Sequence, residues 1–322
     1  MNFFYNEILP YLKNQELNIV DVGARNGFSL FPESLSKFCN LYGYEPNPDE
    51  FKKLIDEKTD LQLSGATLPK FKSKKYFSEA LTNKEGEVDF FITNGPGACN
   101  LMGETNKKVT ENMFLDVNKS TSYEEEHVEI KKKITVKTDK IDNLFKDTKI
   151  DFLKVDTEGM DYYVLEGAKK LLLEKKILLV KTEVIYFSHF EKFTPLLGDQ
   201  MSIMRDLGYR CIDLDVNHSG YLCKDVNYPL STDKRPKYAG DAYFIPEFDN
   251  FEFEADDLIR LSLVLAGAGY YSLSKYFLTR SNLIKKDKID DLFVKIHKSN
   301  YKKIFLHNWS LFPIWLKRKI FN

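Results

Sequence analysis

The run Asn18-Ile19-Val20-Asp21-Val22-Gly23 constrains this chain more than any other segment. Its β-branched residues favour a buried, extended strand, and Gly23 ends that strand in a turn. Gly27 follows after Ala24-Arg25-Asn26, and the pattern predicts a helix over 26–38 with Pro32 near its first turn. A strand that turns through glycines into a helix opens a βαβ unit. Leu41 to Glu45 supplies the next strand, and Pro46-Asn47-Pro48 closes it and starts a helix running to about Lys58.

The alternation continues along the chain. Strands are expected at 76–81, 87–93, 130–136, 151–156, 178–184, 210–216 and 241–245. Helices are expected at 160–173 and 196–207, the latter capped by Gly208. This order predicts an α/β fold, a Rossmann-like doubly wound and mostly parallel sheet. The pattern lapses between Gly95 and His127, a polar stretch opened by Gly95-Pro96-Gly97 and closed by Glu124-Glu125-Glu126. So long an irregular segment is a functional loop or a disordered one. Past Pro246 the residues 256–277 and 289–296 are amphipathic, which predicts a domain over 1–248 and a C-terminal helical extension over 249–322. Near the end, Trp309, Trp315 and Lys317-Arg318-Lys319 read as a surface helix, since three basic residues give little membrane affinity.

Composition narrows the partners. Hydrophobic residues make up 43% and charged residues 30%, enough for a sizeable core, and the net charge of −1 gives no reason to expect a nucleic-acid partner. The four cysteines form no CxxC pair and have no histidine at zinc-finger spacing, which suits reduced thiols in the cytosol. No secretory signal opens the chain, and the apolar run Leu261–Gly269 is too short to cross a bilayer. A cytoplasmic location is therefore expected.

Three groups of residues carry chemistry. The turn Gly23, Ala24, Asn26 and Gly27 offers close backbone approach and free N–H groups to an anion, and Asp21 offers an acid to an ammonium. The alternative is a plain tight turn. Glu45, 18 residues past Gly27 and followed by Pro46, can accept hydrogen bonds from both hydroxyls of a ribose. Asp151-Phe152-Leu153-Lys154-Val155-Asp156-Thr157-Glu158-Gly159 gathers charge at the carboxyl end of a buried strand, where ligands of open α/β sheets bind. Helix capping accounts for Glu158 and Asp161 but not for Lys154 between Leu153 and Val155.

These segments resemble the FkbM-type methyltransferases. The matching residues are 20–27, 44–48, 79–86, 140–144 and 151–168, with Thr182-Glu183-Val184, Leu207-Gly208-Tyr209 and Gly240–Phe244 beyond them. The resemblance spans about residues 15–280. It implies a class I methyltransferase fold, S-adenosylmethionine as donor, and O-methylation of a hydroxyl on a sugar, polysaccharide or related natural product. It implies that the segment from Asp21 to Gly27 holds the methionine end, Glu45 with Pro46 the ribose, and Glu79, Ala80 and Leu81 the adenine. Arg25 stands where a small or polar residue is usual and Lys140 where threonine is usual. The segment from Gly95 to His127 matches little, and in the family that region faces the acceptor.

For such a transfer the candidate bases are Asp156, Glu158 and His189, in that order. Asp156, Glu158 and Glu183 are hard oxygen ligands that would suit Mg²⁺ on a sugar diol. The expected partner is a small-molecule or glycan acceptor, and a homo-oligomer stays open. Two other readings use the same residues. An NAD-dependent oxidoreductase would use the turn and Glu45, but the middle glycine and a second nucleotide-half motif are missing. A non-catalytic nucleoside-binding scaffold is opposed by the intact Asp21, Glu45, Asp156 and Glu158.

Overall fold

A computed structural model describes residues 2–109, 127–219, 237–249 and 251–311, with backbone alone at 217–219 and 300–311. The chain divides into two compact units, Glu16–Glu252, and Met1–Gln15 together with Phe253–Asn322. The first fifteen residues, grouped by sequence with the sheet, thus belong to the helical unit.

The larger unit contains strands β1 (Leu17–Val22), β2 (Cys39–Tyr44), β3 (Ser73–Phe77), β4 (Ala80–Leu81), β5 (Gly86–Thr93), β6 (Ile130–Asp139), β7 (Ile150–Val155), β8 (Ile177–Ile185), β9 (Tyr209–Ser219) and β10 (Lys237–Pro246). Seven of them form one sheet in the order β3-β2-β1-β7-β8-β10-β9. Neighbours from β3 to β8 are parallel, and β10 runs antiparallel to β8 and β9. This is the Rossmann-like, mostly parallel sheet that the alternation predicts. The chain winds outward from β1 in one direction and from β7 in the other, so a crevice forms where their carboxyl ends part.

Burial on both faces explains the central strands. Phe152 on β7 meets the rings of Phe28 and Phe31 at 5.7 and 4.9 Å. Its neighbour Leu153 joins Val20, Val164, Leu165 and Leu171 in a separate buried cluster. A strand covered on both sides reads as a continuous apolar run rather than an alternating one.

Three expected elements differ. The helix predicted over 26–38 is only Glu33–Ser36, because Asn26 and Gly27 are left-handed at φ 69° and 76° and Pro32 can only precede a helix. The strand predicted over 76–81 splits, with Ser73–Phe77 in the main sheet and Ala80–Leu81 in a second, three-stranded sheet ordered β4-β6-β5. The helix predicted over 160–173 breaks into Asp161–Gly167 and Lys169–Leu173. Gly167 lies so close to strand-end backbone that a Cβ there would sit 2.1 Å from the Thr82 carbonyl oxygen. The second sheet has its own small core of Ala80, Phe90 and Val136.

The helical unit holds Asn2–Ile8, Ala255–Gly267, Tyr271–Arg280 and Lys286–Leu311. Ala255–Gly267 is buried throughout 257–266, as expected of the central helix of a small bundle. Phe4 and Phe293 meet edge to face at 5.4 Å, and Lys288 pairs with Glu7 at 2.7 Å. Among the described residues no helix is long and apolar enough to cross a membrane. Cys223, Glu124-Glu125-Glu126, Trp315, Lys317-Arg318-Lys319 and the side chain of Trp309 lie outside the described residues.

Candidate functional site

A cleft of about 200 Å³ opens at the carboxyl ends of β1, β2 and β7. Its floor begins with the first turn. Gly23, at φ 80°, is the one residue type that fits, because a Cβ there would stand 1.8 Å from the carbonyl oxygen of Asp156. The amides of Gly23 and Ala24 both donate to the Tyr44 carbonyl at 3.0 Å, and Gly27 donates to Ala24 at 2.8 Å. The loop therefore spends these N–H groups on holding its own shape, not on an anion. Gly23 and Asn26 line the cleft, whereas Ala24 is buried beneath it and Gly27 faces Leu68 and Leu54.

Glu45 follows β2 directly and lines the cleft with 6% exposure. Its carboxylate accepts from the Asn47 N–H at 2.9 Å, and burial pushes its pKa up to about 7 against that bond and one from the Arg25 N–H. Asn47 in turn caps the helix Pro48–Ile55 by accepting from the Asp49 N–H at 3.0 Å. One turn thus starts the helix and fixes the acid. Pro46, Glu79, Ala80 and Leu81 also line the cleft.

A charge row crosses the sheet edge. Asp21 on β1 is opposite Lys154 on β7, and Lys154 is opposite Lys181 on β8. The Lys154 ammonium lies 3.1 Å from Asp21 and 3.3 Å from Asp156, and it donates to the Gly23 carbonyl at 3.3 Å. Lys181 pairs with Asp241 at 2.8 Å. Asp21 is thus turned to Lys154 and does not line the cleft, while Asp156 and Lys154 do. Burial raises the Asp21 carboxyl, and Lys154 opposes that shift.

Beyond β7 the chain turns through Glu158 and Gly159, both left-handed at φ 53° and 96°. Asp161 accepts from the N–H groups of Thr157 and Gly159 at 3.1 and 3.2 Å, which is the helix-start role that its spacing allowed. Glu158 instead lines the cleft. Burial, then repulsion from Asp156 and Asp161, pushes its pKa up to about 8. Two buried side-chain oxygens of cleft-lining residues, Asn26 Oδ1 and Thr157 Oγ1, have no hydrogen-bond partner among the described residues.

Besides Asp21, Ala24 and Gly27, two more predicted residues, Glu183 and His189, are absent from the cleft lining. Glu183 on β8 lies opposite Asp241, and burial raises its carboxyl well above the usual range, with Glu158 and Asp156 adding to the shift. His189 is 5% exposed, hydrogen-bonded through Nδ1 to the Tyr238 hydroxyl, and burial lowers its pKa to about 4. It is therefore neutral at physiological pH. Among the described residues no three His, Cys, Asp or Glu side chains are grouped to hold a metal ion, so Asp156, Glu158 and Glu183 do not assemble the Mg²⁺ site expected of them.

None of the roof residues is among the named candidates, although five of them fall in the segment from Gly95 that the family resemblance turns toward the acceptor. Phe90, Pro96, Gly97, Cys99, Asn100 and Leu101, on or beyond β5, line the cleft across from the strand ends. Asn100 exchanges backbone hydrogen bonds with Phe91 at 2.9 and 3.1 Å, which folds Pro96–Ala98 back over the site. The signal was Gly95-Pro96-Gly97, a turn marker at the start of the irregular segment. Arg25 also lines the cleft. It is fixed by Glu50 at 3.3 Å and Asp60 at 2.8 Å, and Lys53 bridges the same two acids.

No curated protein matches the chain. Among solved structures, it is similar to the methyltransferase FkbM of Methylobacillus flagellatus KT, at 14% identity and TM-score 0.38, over 76% of this chain and 50% of that one. It thus spans half the length of that relative. It is also similar to a TehB-like SAM-dependent methyltransferase of Corynebacterium glutamicum ATCC 13032 Kitasato, at 10% identity and TM-score 0.31, over 76% of this chain and 86% of that one. The pattern described as Methyltransferase FkbM domain matches residues 21–211, more than half of the 322-residue chain, and the chain belongs to that family of methyltransferases.

Proposed function

We propose that the protein is an S-adenosylmethionine-dependent O-methyltransferase acting on a hydroxyl of a sugar, polysaccharide or related polar natural product. The observation that carries this reading is the pairing, in one cleft, of the buried acid Glu45 with the unpartnered oxygens of Asn26 and Thr157. A buried polar atom without a partner is costly, and a ligand that offers hydrogen bonds removes the cost. The donor's ribose diol suits Glu45, and its ammonium suits Asn26 Oδ1. Leu81 and Phe90, in the same lining as Glu79 and Ala80, offer apolar walls to a flat base.

S-adenosylmethionine, when bound, supplies a methyl group already activated on a sulfonium. The protein then has to orient the acceptor, exclude water and accept a proton. Positioning of this kind contributes about 7–11 kcal/mol in favourable cases. Asp156, kept beside Lys154, holds the acceptor as a hydrogen-bond acceptor. Glu158 takes the hydroxyl proton in its ionised form, whose share grows as pH rises toward its pKa of about 8. His189, buried against Tyr238 and outside the cleft lining, has no part in this scheme.

Calorimetry with S-adenosylhomocysteine and with NAD tests the donor. Wild type is expected to bind the former and not the latter, and Glu45→Gln to weaken that binding by about tenfold. Binding of NAD alone would sink the reading. Transfer of labelled methyl to neutral glycans, read by mass spectrometry, tests the acceptor.

A further inference from the structure

Lys154 is the least expected charge in the site, a lysine on a central strand with flanking residues Leu153 and Val155 buried at 0% and 1% exposure. Its side chain is 19% exposed, and its ammonium has three anionic or carbonyl neighbours from two strands. Asp21 and the Gly23 carbonyl belong to β1 and the turn after it. Asp156 follows β7 and lines the cleft. The backbone reinforces the link, as the Asp156 N–H donates to Val22 at 3.0 Å.

Resting on the donor reading above, we propose that Lys154 is a positioning residue whose single ammonium joins the donor-binding turn to the acceptor-side carboxylate of Asp156. Asp21 is nearly inaccessible and sits on the same sheet edge as Asp156. Without a cation between them, the two carboxylates repel each other and the Gly23 carbonyl loses its donor. The turn then loosens, and Asp156 swings from its place beside the cleft. Lys154 touches neither reacting atom in this scheme and acts through the groups it holds.

The test compares wild type with Lys154→Met, Lys154→Arg and the double variant Asp21→Asn/Lys154→Met. The last restores charge balance in the buried row and serves if the single Met variant does not fold. Lys154→Met, or the double variant in its place, is expected to bind S-adenosylhomocysteine about tenfold more weakly and to lose a larger factor in kcat than in KM. Lys154→Arg keeps the charge and is expected to recover most of both. A purely structural role would change thermal stability without that split or that rescue. Amide exchange of the ligand-free protein is the donor-independent arm. Residues 23–27 are expected to exchange faster in the Met variants, while β8 and β10 keep their protection. If the ligand-free turn loosens yet wild type does not bind S-adenosylhomocysteine, the donor reading fails and the link stands. If turn exchange, donor-product affinity and the kcat-to-KM split all match wild type, the proposal is overturned.

Discussion

The floor and the roof of the cleft are built by different means. The floor is the edge of a parallel sheet, where Gly23, Glu45, Lys154 and Asp156 are each held by backbone or charge within a few ångströms. The roof is the edge of a small mixed sheet, where Phe90, Cys99 and Leu101 present apolar or weakly polar surface. A charged, over-determined floor tolerates no change in geometry. An apolar roof depends on volume, which neighbours can adjust. The contrast suggests a division in which the floor fixes the donor and the proton acceptor while the roof shapes what else enters.

The sharpest way to break this contrast is Gly23→Ala. The new Cβ would overlap the Asp156 carbonyl in a left-handed backbone, so a loss of about 2–6 kcal/mol in unfolding free energy is expected, together with loss of S-adenosylhomocysteine binding. Thermal denaturation and calorimetry read both, and a stable variant with normal affinity would show that the floor is adaptable after all. Next in size is Glu158→Gln, for which kcat should fall by roughly 10²–10⁴ while donor-product affinity changes little. A drop confined to KM would move Glu158 from proton acceptor to mere lining.

The floor also carries a pH signature. Burial raises the carboxyls of Glu45 and Glu158 from 4.5 to about 7 and about 8. Both groups prefer to be protonated in the folded protein. Their contribution is fully present below about pH 4.5 and is lost as pH rises through about 7–8. The ligand-free protein should therefore lose stability progressively as pH rises from about 4.5 to about 8. Glu158→Gln should flatten the upper part of the curve, and an unchanged slope would refute the assignment. The smallest effect belongs to the roof. Cys99 accepts from the Asn47 side chain at 3.3 Å, and sulfur is a weak acceptor, so Cys99→Ala should cost less than about 1 kcal/mol and leave donor-product affinity within about twofold. A larger change would mean that the roof helps to hold the Glu45 turn.

Much of the floor was legible because its signals are local. Asn18 to Gly27 and Tyr44 to Pro48 each place strand, turn and acid within ten residues, and a buried parallel strand announces itself as an apolar run. The helix expected over 26–38 failed for a local reason too, since two left-handed residues in succession leave no helical turn to propagate from. Asp21 was legible as a buried acid but not as a partner of Lys154, because that pairing depends on strand register between residues more than a hundred apart in sequence.

The sequence by itself determined the alternating α/β core, the two strand-end acids at 45 and 156, and the glycine that must stand at 23. Each of these follows from periodicity, turn chemistry or the cost of burying charge, which act over a few residues. Only the tertiary structure decided that 80–81 and 86–93 leave the main sheet to form a roof, that Glu183 and His189 stay outside the cleft, and that one ammonium spans two strands. Those outcomes depend on which strands lie side by side, and that choice is made by packing across the whole sheet rather than by any single segment.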